Sequence, residues 1–226
     1  MSWWPVLTAA VVMGVFGHLT GRELATGGYR IPEDEAVHAT GSAWWTGPLT
    51  GALAAVATWA VGDLGGWSAL PAYLLFAWLT TGLVWIDLDV HRLPVGLVLP
   101  SAAWLAGLLL VASVATGGTR WRTALIGAVV MGGFYLLLSL LPGGGVGGGD
   151  VRLAPVIGGL LGWLGPAQLA LGMAAGFLIG GLAAVALLAL GRAGRKTHIA
   201  YGPAMCLGAW VAVALTDRIL TWLVGG

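Results

Sequence analysis

The stretch that decides the fold is LLFAWLTTGLVWI, residues 74–86, which runs directly into DLDVHRLP, residues 87–94. The uncharged run extends back to Trp67. A helix of about 20 such residues is long enough to cross a hydrocarbon layer of about 30 Å. The polar residues that follow end the span, so the sequence predicts a transmembrane helix with Asp87 at the membrane boundary.

The composition extends this prediction to the whole chain. Hydrophobic residues make up 58% of the 226 residues, charged residues 8%, and the mean hydropathy is +0.92. Soluble domains carry about 25% charged residues. A net charge of +1 without a basic block predicts no nucleic-acid partner. The single cysteine, Cys206, excludes an intrachain disulfide and a zinc site built from several thiolates.

Eight apolar segments of helical length predict an all-α, polytopic membrane protein with about eight transmembrane helices. The chain begins without a basic n-region, so we expect the first segment to be a retained span and not a cleaved signal. The sixth is short and contains Pro155, which predicts a tilted, broken or partly re-entrant segment. The predicted segments are 3–19, 44–61, 67–86, 95–115, 123–141, 151–164, 167–190 and 199–223.

The basic residues predict the orientation of these spans. With eight spans, the loops 20–43, 87–94, 142–150 and 191–198 share one side of the membrane. Seven Lys and Arg residues lie on or at the edge of that side and three on the other, so we expect the first side to be cytoplasmic, with both termini outside. The two sets are Arg22, Arg30, Arg92, Arg152, Arg192, Arg195 and Lys196 against Arg120, Arg122 and Arg218.

Two carboxylic acids lie at this predicted cytoplasmic boundary. Asp87 ends its apolar run, and Asp150 ends PGGGVGGGD, residues 142–150, whose glycines and proline exclude a stable helix. Ionisable groups at membrane depth cost at least about 2.5 kcal/mol and indicate function. Two carboxyl groups that share one proton can activate water and polarise a carbonyl, which is the chemistry of aspartic proteolysis.

The sequence also suggests how the two acids divide these roles. At about 4 Å and an effective dielectric constant near 20, two carboxylates repel by about 4 kcal/mol, so one of them stays protonated near pH 7. The C-terminal end of a helix disfavours a negative charge and the N-terminal end favours it. We therefore expect Asp87 to carry the proton and Asp150 to act as the base.

The remaining acids have simpler interpretations. Asp89 competes with Asp87, but two residues along a helix point about 200° apart, and we assign the chemistry to Asp87. We expect Asp217 to form an ion pair with Arg218 or to lie at a hydrated helix end. His91 has no cluster of His or Cys around it, which predicts no metal site and no cofactor.

Four motifs resemble those of type IV prepilin peptidases, which are GxGD aspartyl proteases. IDLDVHRLP, residues 86–94, is similar to their first catalytic signature, and GGGDVRL, residues 147–153, to their second. IGGLLG, residues 157–162, resembles their glycine-spaced helix, and HIAYGPA, residues 198–204, the segment that begins their last span. The resemblance covers roughly residues 70–223, in the order and spacing of that family.

The resemblance implies a membrane aspartyl endopeptidase in the cytoplasmic membrane of a prokaryote. Its substrate would be a type IV prepilin, pseudopilin or related subunit, with a short basic leader before an apolar helix, cleaved at the cytoplasmic face without a metal. We expect residues 1–65 to form two N-terminal transmembrane helices with a short cytoplasmic loop, and residues 66–226 a six-helix catalytic core. The implied catalytic pair is Asp87 and Asp150, with Pro94, Gly147, Gly149, Arg152, Gly202 and Pro203 in support.

The chain departs from the family in several places. Val95 follows Leu-Pro where Asp is frequent, and Arg152 stands where Lys is usual. Larger members have paired CxxC motifs in a cytoplasmic domain near the N-terminus and also methylate the new N-terminus. With one cysteine and a short loop in that region, the sequence gives little support for methyltransferase activity.

Three other functions remain open from the residues. Presenilin-type proteases share GxGD but have Pro-Ala-Leu where Gly202-Pro203 stands here. A proton-coupled carrier could use the same two aspartates as relays, although such carriers show internal repeats that this sequence lacks. A non-catalytic pilus assembly factor could have kept the motifs. A prepilin cleavage assay separates these functions.

Overall fold

The computed structural model describes an all-α architecture. The described part of the chain comprises residues 3–31, 42–64, 66–90, 93–141, 146–190 and 201–224, and it contains eight α-helices and no strand. Short 3-10 turns precede the second and third helices. The helices are α1 (Trp4–Leu24), α2 (Thr46–Leu64), α3 (Leu70–Val90), α4 (Val95–Ala115), α5 (Arg120–Leu140), α6 (Gly148–Leu164), α7 (Pro166–Ala189) and α8 (Gly202–Val224).

Six of these helices are long and apolar enough to cross a membrane: α1, α3, α4, α5, α7 and α8. The prediction of a polytopic, all-α membrane protein is therefore confirmed. Each predicted segment corresponds to one helix, and α4 has the predicted bounds.

Several helix boundaries differ from the prediction, among them the end of α3 at Val90, and two of the differences have identifiable reasons. The polar residues after position 19 suggested a loop, but α1 continues to Leu24 because Gly21 is buried against Thr46 of α2. The glycine-rich stretch 142–150 was predicted to exclude a helix, but α6 begins at Gly148. The first turn of a helix needs no intrahelical N–H bonds, and Asp150 accepts a hydrogen bond from the N–H of Gly147. Pro155 does not break α6, which runs continuously over 17 residues.

Helix α3 is the centre of the bundle. Thirteen of its residues are buried, and it exchanges side-chain hydrogen bonds with several neighbours. Tyr73 donates to the carbonyl of Leu160 in α6 at 2.7 Å, and Trp210 of α8 donates to Thr80 at 3.0 Å. Such bonds between helices are useful inside lipid, where apolar packing provides no hydrophobic driving force. They fix the rotation of α3, and hence the directions in which its last residues point.

Glycines bring three helix pairs into close contact: α1 with α2, α5 with α6, and α7 with α8. The α5–α6 pair is the tightest example, because a Cβ added at Gly158 would collide with the backbone carbonyl of Gly127. A Cβ added at Gly127 would lie 2.9 Å from the Cα of Gly162. Small residues at such spacing allow helix backbones to touch in a membrane. The packing therefore fixes α6, which carries Asp150, to α5.

Candidate active site

The structure brings Asp87 and Asp150 together at one end of the bundle. Asp87 lies in the last turn of α3 and Asp150 in the first turn of α6, and their exposed fractions are 3% and 6%. Both approach Gly202, the first residue of α8: a Cβ added there would lie 3.1 Å from Asp87 Oδ2 and 3.4 Å from Asp150 Oδ1. These two oxygens are therefore at most about 6.5 Å apart, the sum of the two distances. Three distant parts of the chain thus converge on one buried pair of carboxyl groups.

Backbone N–H groups support the Asp150 side chain. Gly147 precedes α6 and donates to Asp150 Oδ2 at 3.3 Å, and the N–H of Gly202 also interacts with this carboxyl group. Asp150 is the third residue of α6. Hydrogen bonds from N–H groups and the N-terminal end of a helix both stabilise a carboxylate. Asp87 instead occupies the C-terminal turn of α3, where the helix dipole gives no such support.

Leu93 and Pro94 close the site between α6 and α8. A Cβ added at Gly149 would lie 2.9 Å from the Leu93 Cβ, and one at Gly202 would lie 3.3 Å from Leu93 Cδ1. Pro94 stands before α4 in an extended conformation, and its carbonyl accepts the N–H groups of Leu97 and Val98. Leu93 therefore packs on both glycines, and Pro94 marks the start of α4. The sequence identified Pro94, but not the role of Leu93 as the contact between them.

A cavity of about 290 Å³ opens onto the two carboxyl groups. The exposed side chain of Arg152 lies at its edge, and Arg152 also lines an apolar cavity of about 440 Å³ between α4, α5 and α6. The first cavity leads directly to both acids. The second provides an adjoining apolar space. The first cavity is lined by Asp87, Leu93, Val95, Gly147, Gly148, Gly149, Asp150 and Arg152.

Two tyrosines lie beside Asp150 on the side of α5 and α8. Tyr135 is fully buried in α5, and its ring meets that of Tyr201 edge to face, with centroids 5.8 Å apart. Tyr201 directly precedes α8 and donates to the carbonyl of Phe177 at 3.1 Å. Burial raises the pKa of Tyr201 above its usual value, and the nearby Asp150 adds to the rise. Pro203, the second residue of α8, needs no intrahelical N–H partner there, so it fits the helix start.

Asp89 is occupied by a different set of groups. Arg30 binds its carboxylate with two hydrogen bonds, from Nε to Oδ2 at 2.8 Å and from NH2 to Oδ1 at 2.7 Å. Tyr29 donates to Oδ2 at 2.6 Å and accepts a hydrogen bond from Trp85 at 3.1 Å. Burial raises the pKa of Tyr29, and the bond to Asp89 raises it further. This Asp89 cluster (Tyr29, Arg30, Trp85 and Asp89) agrees with the choice of Asp87 as the member of the pair. The sequence had marked Arg30 only as a loop cation.

Asp217 lies elsewhere, in the later part of α8. It accepts a hydrogen bond from Gln168 of α7 at 3.3 Å, while Arg218 stacks over Trp59 at 4.5 Å. Its hydrogen-bonding partner is thus a residue other than the predicted Arg218. Residues 91–92 and 191–200, which hold His91 and most of the predicted cytoplasmic cations, lie outside the described residues. Within the described ranges, no group of three His, Cys, Asp or Glu side chains could hold a metal ion.

The comparisons with known proteins point to one group. Residues 73–190 match the model of the type IV leader peptidase family. The prepilin leader peptidase/N-methyltransferase of Aeromonas hydrophila is 32% identical over 160 residues, covering 70% of this chain and 53% of that protein. The protein of the same name from Neisseria gonorrhoeae is 31% identical over 176 residues, covering 76% and 57%. The chain spans about half the length of the curated relatives it matches. No solved structure matches it.

Proposed function

The chain belongs to the type IV leader peptidase family, and on this basis we propose that it is a membrane aspartyl endopeptidase that removes the leader of type IV prepilin-like subunits. The observation that carries the proposal is the convergence of Asp87 and Asp150 on Gly202. The pair is buried, accessible from one cavity and assembled from α3, α6 and α8. Both acids belong to the part of the chain that matches the family.

The geometry supports a general acid–base mechanism. The Asp150 carboxylate takes a proton from a water molecule in the cavity, and the oxygen of that water attacks the scissile carbonyl carbon. Protonated Asp87 donates its proton to the carbonyl oxygen, which stabilises the tetrahedral intermediate. The intermediate collapses, the C–N bond breaks, and the leaving amine takes the proton held by Asp150. One hydroxyl of the intermediate returns its proton to Asp87 as the new carboxyl group forms, so the pair again holds a single proton. A pair that starts with one proton can perform both transfers without a metal.

The assignment of roles follows from the ends of the two helices. Asp150 accepts the backbone N–H of Gly147 at the start of α6, an arrangement that favours the carboxylate. Asp87 lies in the last turn of α3, where the helix dipole favours the neutral acid. Infrared difference spectra of Asp87→Asn and Asp150→Asn test this assignment. A protonated-carboxyl band should disappear with Asp87→Asn, and a band that persists there contradicts it.

We place the reaction at the cytoplasmic face of the cytoplasmic membrane of a prokaryote, in a six-helix core formed by residues 66–226 and preceded by the helix pair of residues 1–65. The excess of cations on that side supports the orientation. Labelling with a membrane-impermeant thiol reagent tests it in intact cells, because the only native thiol, Cys206, is buried. Thr119→Cys, between α4 and α5, should react from outside, and Val146→Cys, beside the site, should not. The reverse pattern would place the site on the other face.

The substrate class follows from the curated relatives, whose names specify prepilin leader peptidase. A leader rich in Lys and Arg would reach the pair through the cavity at the end of the bundle, and the apolar segment after it would remain in the membrane. The same names include N-methyltransferase. We propose the peptidase activity, because the matched family model and the paired acids both support it.

Cleavage of a purified prepilin by the purified protein in detergent tests the function. Wild type and the control Asp217→Asn should release the leader, whereas Asp87→Asn and Asp150→Asn should not. Asp217 is a suitable control because it is also an aspartate of a membrane helix, bound to Gln168 away from the pair. The mass of the new N-terminus shows in the same experiment whether a methyl group is added.

The outcomes separate the alternatives. Loss of cleavage in both variants supports the aspartyl mechanism. A wild-type protein that leaves the prepilin intact would contradict the proposal and favour a carrier or a non-catalytic assembly factor. Proton uptake by proteoliposomes would then distinguish these two. Cleavage inside the apolar helix, away from the leader junction, would instead indicate presenilin-type proteolysis.

A further inference from the structure

The Asp89 cluster joins two parts of the chain that are far apart in sequence. Arg30 and Tyr29 follow α1, lie 59 and 60 residues from Asp89, and precede the region that matches the family. Their target is the last turn of α3, two residues beyond Asp87. The cluster therefore connects the N-terminal part of the chain with the helix end that carries one half of the candidate catalytic pair.

The contacts of Arg30 and Tyr29 with Asp89 fix its orientation as well as balance its charge. The guanidinium of Arg30 meets both carboxylate oxygens of Asp89 in the paired geometry that fixes the two planes relative to each other. The side chain of Asp89 is only 6% exposed and that of Arg30 is 27% exposed. Bidentate Arg–carboxylate pairs hold their geometry better than other ion pairs near the surface. Tyr29 links Asp89 to Trp85, one helical turn earlier, because its hydroxyl donates to Asp89 and accepts from the Trp85 indole.

A stacked pair of indoles adds a third connection. Trp85 packs against Trp45, with ring centroids 5.6 Å apart and an interplanar angle of 26°. Trp45 belongs to the 3-10 turn that starts α2. The end of α1, the start of α2 and the end of α3 are thus tied together on the face of α3 that lies about 200° around the helix from Asp87.

The Asp89 cluster reduces an unfavourable electrostatic interaction at the C-terminal end of α3. Its last turn carries the Asp89 carboxylate at the helix end where the dipole disfavours negative charge. A cation near the helix C-terminus reduces this cost, and Arg30 supplies one at Asp89. Without it, the last turn of α3 would be expected to fray, and Asp87 belongs to that turn.

We propose that Arg30, assisted by Tyr29, is a positioning residue that holds the last turn of α3 so that Asp87 faces Asp150. The expected effect on catalysis rests on the proposed function. The expected effect on the structure of the end of α3 does not depend on it. Arg30 acts through Asp89 and makes no contact with the substrate. The proposal predicts a lower kcat with little change in KM when Arg30 is replaced, because Asp87 is misaligned with Asp150 while substrate binding is retained.

Two measurements on the purified full-length protein test the proposal. Hydrogen–deuterium exchange of the peptide covering residues 83–94 reports whether the end of α3 loosens, and prepilin cleavage reports kcat and KM. Arg30→Gln should speed exchange in this peptide and lower kcat by about tenfold, less than the roughly 10²-fold cost of a 1 Å displacement of a catalytic group. Arg22→Gln removes the same charge from the exposed end of α1 and should change neither.

Two further variants exclude a general folding defect. Arg30→Lys keeps the charge but loses the paired geometry, and should restore part of kcat. The double variant Arg30→Gln with Asp89→Asn should lose no more than the worse single variant, because both act through one interaction. Additive losses would overturn the proposal.

The results also separate this proposal from the proposed function. Unchanged exchange in Arg30→Gln overturns the positioning role whether or not the protein is a peptidase. Faster exchange with unchanged kcat overturns it as well. If wild type fails to cleave any prepilin, the peptidase proposal fails, while the exchange experiment still decides whether Arg30 holds the end of α3.

Discussion

Two aspartates of the same helix turn have opposite surroundings. Asp87 faces α6 and α8, next to a second carboxyl group and a cavity, whereas Asp89 faces the end of α1 and binds an arginine and a tyrosine. Both are buried. Burial alone therefore does not identify a candidate catalytic acid. The difference lies in the partner: an acid placed beside another acid keeps a shared proton available, and an acid bound to Arg does not.

Replacing either acid of the pair should have the largest effect. Asp87→Asn and Asp150→Asn should each lower kcat for leader cleavage by about 10²–10⁴-fold, the usual contribution of a positioned acid or base. Asp89→Asn should retain far more activity. Initial rates at saturating prepilin measure this. An equal loss of kcat in all three variants would mean that Asp89 is as important for cleavage as Asp87, although its partner is an arginine.

A methyl group between the acids should have the next largest effect. Gly202→Ala would place a Cβ 3.1 Å from Asp87 and 3.4 Å from Asp150 and would press the two side chains apart. We expect kcat to fall by up to about 10²-fold, the cost of roughly 1 Å of misplacement. Gly181→Ala in α7 is the control, because a Cβ there meets nothing within 4 Å. Full activity in Gly202→Ala would show that the pair does not need this close approach.

Breaking the Asp89 cluster should have an intermediate effect. Asp89→Asn keeps the size of the side chain but removes the charge that binds Arg30. We expect kcat to fall by about tenfold, since the last turn of α3 is displaced less than a catalytic side chain would be. Comparing kcat with KM over a range of prepilin concentrations measures it. A rise in KM alone would instead assign Asp89 to substrate binding.

The smallest effect concerns alkaline pH. The pKa of Tyr29 is raised in the folded protein, so the native state holds the phenol proton more tightly than the unfolded chain. This contribution to stability is complete below the ordinary tyrosine pKa of about 10 and is lost as the pH rises through the raised value. The free energy of unfolding should therefore fall less in Tyr29→Phe than in wild type when the pH is raised from neutral to above about 10. Thermal unfolding followed by circular dichroism measures it, and equal losses in the two proteins would show that the pKa of Tyr29 is not raised.

The sequence predicted what depends on local pattern and failed where the cause was a distant contact. Uncharged runs predicted eight helices, and the motifs around Asp87 and Asp150 predicted a pair that the structure brings together. Nothing near Gly21 indicated that α1 continues, because the cause is Thr46 of α2.

The Arg30–Asp89 bond was missed for a related reason. The two residues lie 59 positions apart in no recognisable motif, and loop cations are usually solvated. The predicted start of α6 was wrong because six glycines suggested a flexible turn. In the structure the Asp150 side chain accepts the N–H of Gly147, and the N–H of Val151 makes the first helical bond, to the Gly147 carbonyl. A cap of this kind depends on the position of a single side chain.

The glycine contact between α5 and α6 has a consequence for how the distance between the two carboxyl groups can change. Where two helix backbones touch, no layer of side chains separates them, so we expect α5 and α6 to move together. A wider gap between the carboxyl groups should then involve a movement of both helices, or a tilt of α3 against them about the Tyr73–Leu160 bond.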